Sequence, residues 1–341
     1  MSQQEKRNDL IINANMIERI KEFIIHHDLI SPGSSIVLGL SGGPDSVFLL
    51  HVLCTLRDEG KISAIIAAHL DHQWRANSAS DVVFCEQLAE RYGVQFVSGV
   101  LKNFASQNVS GSKEEIGRSA RRNFLTKIAQ EHSASAIALA HHRDDQQETF
   151  FIRLLRGASL TGLTGMKPRH GLFIRPLLEI SKQEILEYLE KHNIPYLIDP
   201  SNESHEFLRN RIRLTVIPAL RACDERFDTN FAKTLKQLQE TQEYLDSLAR
   251  EIFSNITAQQ NGVVQLDYHA LLQQHPVMQK QLLLLWLTTE QVKFPVSSGF
   301  FDEILKFLRN PGKEHALHET WRLVKDAKKA WLSKKTDIPS N

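Results

Sequence analysis

Ser35-Ile36-Val37-Leu38-Gly39-Leu40-Ser41-Gly42-Gly43-Pro44-Asp45-Ser46 is the stretch that decides the fold. Its first half is a short apolar run and reads as a buried strand. Its second half is turn-forming and rich in hydroxyls, and Val47 to Leu56 beyond it reads as a helix. In an open parallel sheet, ligands bind at the carboxyl ends of the strands, where this loop falls. A glycine pair lets the backbone approach a phosphate closely. The N–H groups and positive end of the helix then hold the anion. Ser41 and Ser46 add hydroxyl donors. A Walker A loop needs G-x-x-x-x-G-K-[ST], and no Lys is present; the glycine spacing does not fit the dinucleotide pattern G-x-G-x-x-G either. Asp45 is unusual beside a phosphate, because carboxylate and phosphate repel. Its presence is accounted for if it holds Mg²⁺, which bridges the two. With no ligand, the same residues read as a Gly-Gly turn with Ser and Asp as helix caps. The order strand, loop, helix favours the phosphate.

Outward from this loop the chain alternates. An amphipathic stretch from about Ile11 to His27 predicts a first helix, closed by Ser31-Pro32-Gly33. Further strands are expected at Ile62–Leu70, Val94–Leu101 and Ala136–Ala140, with helices at Asp81–Tyr92, Glu114–Ala129 and Asp145–Leu155. Strands that are apolar throughout, separated by amphipathic helices, imply a parallel sheet covered on both faces. The expected class is therefore α/β, a doubly wound, Rossmann-like parallel sheet. Gly157 to Met166 has no apolar period and reads as a loop long enough to be functional. Past Pro218 the character changes. Phe227–Ile256 predicts one long helix, Met278–Leu287 and Phe300–Leu308 two shorter ones, and Ala316–Leu332 alternates like short strands. The expected division is a catalytic domain over residues 1–216, with its N-terminal helix at 11–29, and a smaller, mostly helical domain over 217–341.

Composition is that of an ordinary globular protein, 42% hydrophobic and 24% charged. The net charge of +1 neither demands nor excludes a nucleic-acid partner, since a local patch binds phosphates on a neutral protein. Cys54, Cys85 and Cys223 form no C-x-x-C pair and no zinc spacing, and read as buried structural thiols in a reducing cytosol. The N-terminus has no apolar signal core, and the densest apolar run, Leu282–Leu287, is too short to span a bilayer. A cytoplasmic protein is expected.

Four further blocks carry chemistry. His69-Leu70-Asp71-His72-Gln73-Trp74-Arg75 ends the second strand; its two histidines are only half a metal site. Glu115 to Leu125 places Arg118, Arg121 and Arg122 three to four residues apart, so two of them share a helix face suited to polyphosphate or RNA. His141-His142-Arg143-Asp144-Asp145-Gln146-Gln147-Glu148-Thr149 follows the fourth strand. Asp145 and Glu148 point to one side of a helix start. They can hold Mg²⁺, or accept an ammonium and later its proton, or simply complement the helix dipole. Last come Arg156-Gly157 through Gly165-Met166, Arg175-Pro176-Leu177-Leu178, Asp199-Pro200-Ser201-Asn202 and Arg209-Asn210-Arg211-Ile212-Arg213. Such an arginine cluster neutralises nucleic-acid phosphates or an AMP leaving group.

S-G-G-x-D-S after a first strand resembles the loop of the N-type ATP pyrophosphatases, the PP-loop superfamily. The four blocks, in order from residue 41 to residue 213, resemble its tRNA(Ile)-lysidine synthase family. Gln73-Trp74 stands where that family has Gly-Leu, and Arg122 where it has Tyr. The resemblance implies an ATP-dependent ligase that adenylates the C2 oxygen of the wobble cytidine of a CAU-anticodon tRNA(Ile), after which free L-lysine attacks and AMP leaves. It implies catalytic roles for Asp45, Arg121, Asp145 and Glu148, with Mg²⁺ on Asp45. ATP would contact Ser41, Gly42, Gly43, Pro44, Asp45, Ser46, His69, His141 and Gly157. Lysine and cytidine would contact Asp145, Glu148, Thr149, Asn202 and Arg213, and the tRNA Arg209 and Arg211. Longer members carry a further C-terminal domain, which this chain is expected to lack. Oligomeric state is not legible in the sequence, and a homodimer stays open. Two competing readings are a tRNA thiolase, against which stands the absence of cysteine from the blocks, and a nucleotide-binding RNA module without turnover.

Overall fold

A computed structural model describes residues 16–73, 78–104, 113–198, 207–260, 262–292, 294, 298–317 and 320–334. The expected residue Asn202 and the first part of the expected N-terminal helix lie outside them. The chain divides into two compact units: Met1–Ile152 with Gly165–Glu225, and Arg153–Thr164 with Arg226–Asn341.

The first unit opens with α1 (16–26), followed by β1 (Ser34–Gly39), α2 (Pro44–Asp58), β2 (Ile62–Asp71), α3 (Ser78–Arg91) and β3 (Gln95–Val100). Then come α4 (Lys113–Glu131), β4 (Ala136–Ala138) and α5 (Arg143–Leu155). The short α6 (Leu160–Leu163) interrupts the stretch expected as loop and belongs to the second unit. The first unit resumes with β5 (Arg169–His170), β6 (Phe173–Ile174), α7 (Lys182–Lys191), α8 (Leu208–Arg211) and α9 (Ile217–Cys223).

The six strands are ordered β3-β2-β1-β4-β6-β5. All pairings are parallel except the edge hairpin β5–β6. Successive side chains of a strand face opposite sides, and the two cores show it. Ile36, Leu38, Ile65, Ala67, Ala136 and Ala138 join the helical layer of α1, α2, α3 and α7. Val37, Ile66, Ala68 and Ile137 join α4 through Ala120, Phe124, Leu125 and Ile128. Each such buried aliphatic side chain contributes about 1.5–3 kcal/mol relative to exposure. The chain leaves β1 toward β2 and later returns to β1's other side as β4. The carboxyl ends of β1 and β4 therefore border the crevice where an open α/β sheet binds ligands.

The second unit has the helices predicted for it, and the short strands expected at Ala316–Leu332 belong to a larger sheet. That sheet is five-stranded and antiparallel, in the order β7-β8-β11-β10-β9. Its strands are β7 (Thr257–Gln260), β8 (Val263–Asp267), β9 (Glu314–Ala316), β10 (Trp321–Lys325) and β11 (Lys329–Lys334). The helices are α10 (Phe227–Ile256), α11 (Tyr268–Leu272), α12 (Pro276–Thr289) and α13 (Ser298–Arg309). Leu266, Leu323, Ala330 and Leu332 of the sheet share one core with Leu282, Trp286, Ile304 and Leu305 of the helices. β7 and β8 escaped the sequence reading because Thr257–Gln260 is polar and Val263–Asp267 too short for a period to show.

Candidate functional site

Loop 41–46 enters the crevice between β1 and α2. Gly42 takes a left-handed φ of +81°, which glycine adopts without steric cost. A Cβ there would stand 2.7 Å from Leu197 Cδ1 and 3.2 Å from Cys85 Sγ, so space as well as conformation requires glycine. Gly43 caps α2 in extended geometry with no side-chain hydrogen bond to the first turn. Pro44 sits in that turn, where its missing N–H costs nothing. Ser46 ties the loop together. Its hydroxyl donates to the Gly43 carbonyl at 2.9 Å and accepts from the Ser41 N–H at 3.1 Å. The result is an open helix start at the carboxyl end of β1, the geometry that binds anions.

Asp45 points from this loop to α7, where its Oδ1 accepts a hydrogen bond from Lys182 Nζ at 2.6 Å. Lys182 opens α7, whose start is set by a capping box between Ser181 and Glu184. The carboxylate beside the phosphate cradle is thus matched by an ammonium brought from a distant helix.

Beyond β4 the acids gather around a histidine. Asp145 accepts the His142 N–H at 3.0 Å and so caps its own helix. The His142 ring is buried and lies 3.5 Å from Asp145, 3.6 Å from Asp144 and 3.8 Å from Asp45. Burial alone would lower its pKa; the charges of Asp145, Asp144 and Asp45 outweigh burial and raise it, favouring the imidazolium. Asp144 in turn accepts from the Lys182 N–H at 2.9 Å and from Arg221 at 2.8 Å. Burial opposes its charge, but His142, Arg221 and the Lys182 amide hold it well below the usual carboxylate range. His141, next door, behaves oppositely: burial pushes its pKa down to about 4.

Glu148, one turn further along α5, is 1% exposed and doubly paired. Arg209 Nε donates to Oε2 at 2.6 Å, and Arg213 Nε to Oε1 at 2.5 Å. Arg209 also reaches Asp145 at 3.4 Å. Both arginines come from one helical run, four residues apart. Pro218 has no N–H to give back to Leu214, and the Ile217 N–H reaches Ile212, so the backbone over Ile212–Val216 is π-helical.

At the end of β2, His69 is buried, with Nδ1 2.9 Å from the Leu40 carbonyl, which directly precedes the loop. Donation to that carbonyl places the proton on Nδ1. Cys85 Sγ lies 3.4 Å from the same nitrogen. His72 Nε2 accepts from Arg121 at 2.9 Å. Burial, reinforced by Arg121, pushes the His72 pKa down to about 4.

A model of the PP-loop domain family matches residues 12–220. The chain belongs to the PP-loop family. It is 34% identical over 311 residues to the tRNA(Ile)-lysidine synthase of Bacillus subtilis, covering 88% of this chain and 65% of that protein. It is 33% identical over 278 residues to that of Geobacillus kaustophilus, covering 80% and 60%. The chain therefore spans less than two-thirds of the length of these relatives. Among solved structures, the U34-tRNA thiolase NcsA from Methanococcus maripaludis, with its [4Fe-4S] cluster, shares the fold at a TM-score of 0.56 and 18% identity, covering 67% of this chain and 80% of that one.

On the PP-loop frame, the expected residues Ser41, Gly42, Gly43, Pro44, Asp45, Ser46, His69, His141, Asp145 and Glu148 all lie at or directly beyond the carboxyl ends of β1, β2 and β4. Thr149 is half-buried on α5, and Arg121 and Arg211 are exposed. Arg209 and Arg213, expected to meet tRNA and substrate, are turned inward onto Glu148. Gly157 lies in the segment of the second unit, with φ +71°. Four residues that the structure brings to this edge were not singled out beforehand: His142, Asp144, Lys182 and Arg221. The first two stood in a quoted block. Lys182 had one signal, the S-x-x-E spacing of Ser181 and Glu184, which marks a helix start. Arg221 had none.

Proposed function

We propose that the chain is a tRNA(Ile)-lysidine synthase: it adenylates the wobble cytidine of a CAU-anticodon tRNA(Ile) with ATP and joins free L-lysine to it. The observation that carries this reading is the meeting of two sites on one sheet edge. A phosphate cradle at loop 41–46 and a buried acid pair, Asp145 and Glu148, are bridged by His142, which lies near both Asp45 and Asp145. The names of the relatives support the choice of substrate.

ATP's phosphates would lie on the start of α2. Among the described residues no group of three or more His, Cys, Asp or Glu is disposed to hold a metal. Mg²⁺ on a nucleotide needs only one or two carboxylates beside the phosphates, and Asp45, part-exposed at the loop, fits that demand. Mg²⁺ held there would neutralise charge on the leaving pyrophosphate. Lys182, released from Asp45, would turn to the phosphates.

The C2 oxygen of cytidine attacks the α-phosphate, and pyrophosphate leaves. The lysine ε-nitrogen then bonds to C2 as the C2–O bond to AMP breaks, and its protons pass to carboxylate. Asp145 and Glu148 suit an ammonium, and the guanidinium groups of Arg209 and Arg213 stand where the substrate's charge would be received. Lysine entry therefore requires one arginine to give way. Catalysis on this reading is positioning and charge stabilisation. The reading places the protein in the cytoplasm with its substrates.

Cys223 is exposed, against the expectation of three buried thiols; the other two cysteines argue against thiolation. Cys85, beside the loop, is fully buried, and burial with Asp81 pushes its pKa up to about 12; burial pushes Cys54 up to about 11. Thiolates are not available there.

The test is incorporation of labelled lysine, with ATP and Mg²⁺, into transcripts of tRNA(Ile) bearing CAU and of elongator tRNA(Met). Incorporation into the first alone is expected. Pyrophosphate release without lysine incorporation would overturn the reading and leave another PP-loop chemistry.

A further inference from the structure

On α4 and at the end of β6, beside the site, is a group of cations with no carboxylate partner among the described residues. Arg118 and Arg122 lie one turn apart on α4. The Arg122 guanidinium sits over the Phe173 ring, 4.0 Å from its centroid. Phe173 opens β6, and Arg175 follows that strand directly, two residues on. β6 pairs with β4 in the register Ala138↔Ile174. Arg175 and His141 are therefore both carried just past the carboxyl ends of neighbouring strands.

Arg175 is 6% exposed. Its backbone N–H donates to the Pro168 carbonyl at 2.9 Å, and one terminal nitrogen to the Lys167 carbonyl at 2.8 Å. Its Nε is buried with no hydrogen-bond partner among the described residues, and so is Nδ1 of His141. Among the described residues, no carboxylate lies within 4 Å of Arg118, Arg122 or Arg175; the contacts of Arg122 and Arg175 are the ring and carbonyls above. Burial and the charges of Arg122 and Arg118 push the Arg175 pKa down to about 10. Burial and Arg118 lower that of Arg122. Buried cations are ordinarily paired. Three guanidinium groups that repel one another, with a buried donor left over, are the complement of an oxyanion that forks of N–H groups can grip.

We propose that Arg118, Arg122 and Arg175, with His141 at the inner rim, seat a phosphate group of the substrate. The inference rests on the nucleotide chemistry proposed above and names a second phosphate site for it, distinct from loop 41–46. A phosphodiester of the polynucleotide and a phosphate of the mononucleotide share this chemistry. Loop 41–46 already provides for the mononucleotide, which favours the polynucleotide.

The experiment measures the binding of a tRNA(Ile) transcript across a KCl series, and of ATP by calorimetry, for the wild type, Arg118→Gln, Arg122→Gln and Arg122→Lys. Arg118 is exposed, so its variant leaves packing untouched, and thermal melts check the others. The expected result is tRNA binding weakened about tenfold, a salt slope smaller by about 1, and ATP binding unchanged. Partial recovery is expected in Arg122→Lys, which keeps the charge without the fork. The mirror result, weakened ATP with tRNA unchanged, upholds the site and assigns its phosphate to the mononucleotide. Unchanged binding of both ligands by variants that melt like the wild type overturns it. If the wild type binds both ligands with these dependences but transfers no lysine, the phosphate site stands and the lysidine reading falls.

Discussion

The phosphate loop and the acid edge lie on the same sheet but are built differently. Loop 41–46 takes its form from its own backbone: a left-handed Gly42, an uncapped helix start and a serine tied to its neighbours. The acid edge takes its electrostatics from far along the chain. Glu148 depends on Arg209 and Arg213, Asp144 on Lys182 and Arg221, and His142 on Asp45. Local geometry makes a site that a short motif announces. Long-range pairing makes one whose charge states only the assembled fold can set.

The largest expected effect tests that dependence. Glu148→Ala removes a buried acid from two guanidinium groups. Breaking a buried pair by deleting one partner costs about 3–5 kcal/mol, and lysine transfer should fall about 100-fold or more. Urea unfolding measures the first. A loss below about 1 kcal/mol would mean that solvent screens the acid edge and that the contrast with the loop is false. Next comes the loop. Gly42→Ala forces a non-glycine residue to φ +81° against Leu197, at a cost of about 1–2 kcal/mol, with weakened ATP binding. Gly43→Ala is the control, since its Cβ would meet only Ser41 Oγ at 3.6 Å. Equal costs for the two would remove the case for local geometry.

Ser181→Ala removes the cap of α7 and should cost about 1 kcal/mol. Because Lys182 opens that helix, the KM for ATP should rise more than kcat falls. A purely structural role would leave the ratio untouched. The smallest net effect concerns pH. His142 has a raised pKa in the fold, so its contribution to stability is full below its unfolded value and is lost as pH rises through the folded one. His141, lowered to about 4, works in reverse: stability is lost as pH falls from about 6.5 toward 4. The two act on opposite sides of the ordinary histidine value, His142 above it and His141 below it. NMR titration of the imidazole rings separates them, with His142 titrating above the ordinary histidine value and His141 near 4. The opposite order would show that the three aspartates do not govern His142.

Much of the fold was legible in the sequence because its signals are periodic. Apolar runs located β1, β2, β3 and β4, and the amphipathic pattern of Phe227–Ile256 coincides with α10. α7 was missed although Ile185, Tyr188 and Leu189 bury at helical spacing, because a helix of 10 residues is too short for that period to stand out. Of the second unit's sheet, the alternation at Ala316–Leu332 marked β10 and β11, while β7 and β8 were missed because Thr257–Gln260 and Val263–Asp267 are too brief for a period to stand out.

The sequence by itself determined the strand–loop–helix cradle, the parallel sheet and the positions of the acids, since each depends on neighbours within a few residues. Only the tertiary structure decided which charges those acids meet. Lys182 reaches Asp45, and Arg209 and Arg213 turn inward to Glu148, while Arg175 is buried with an Nε donor unmatched among the described residues. Coulomb energy and desolvation depend on distance in space and on exclusion of water, and neither quantity is written in the order of residues along the chain.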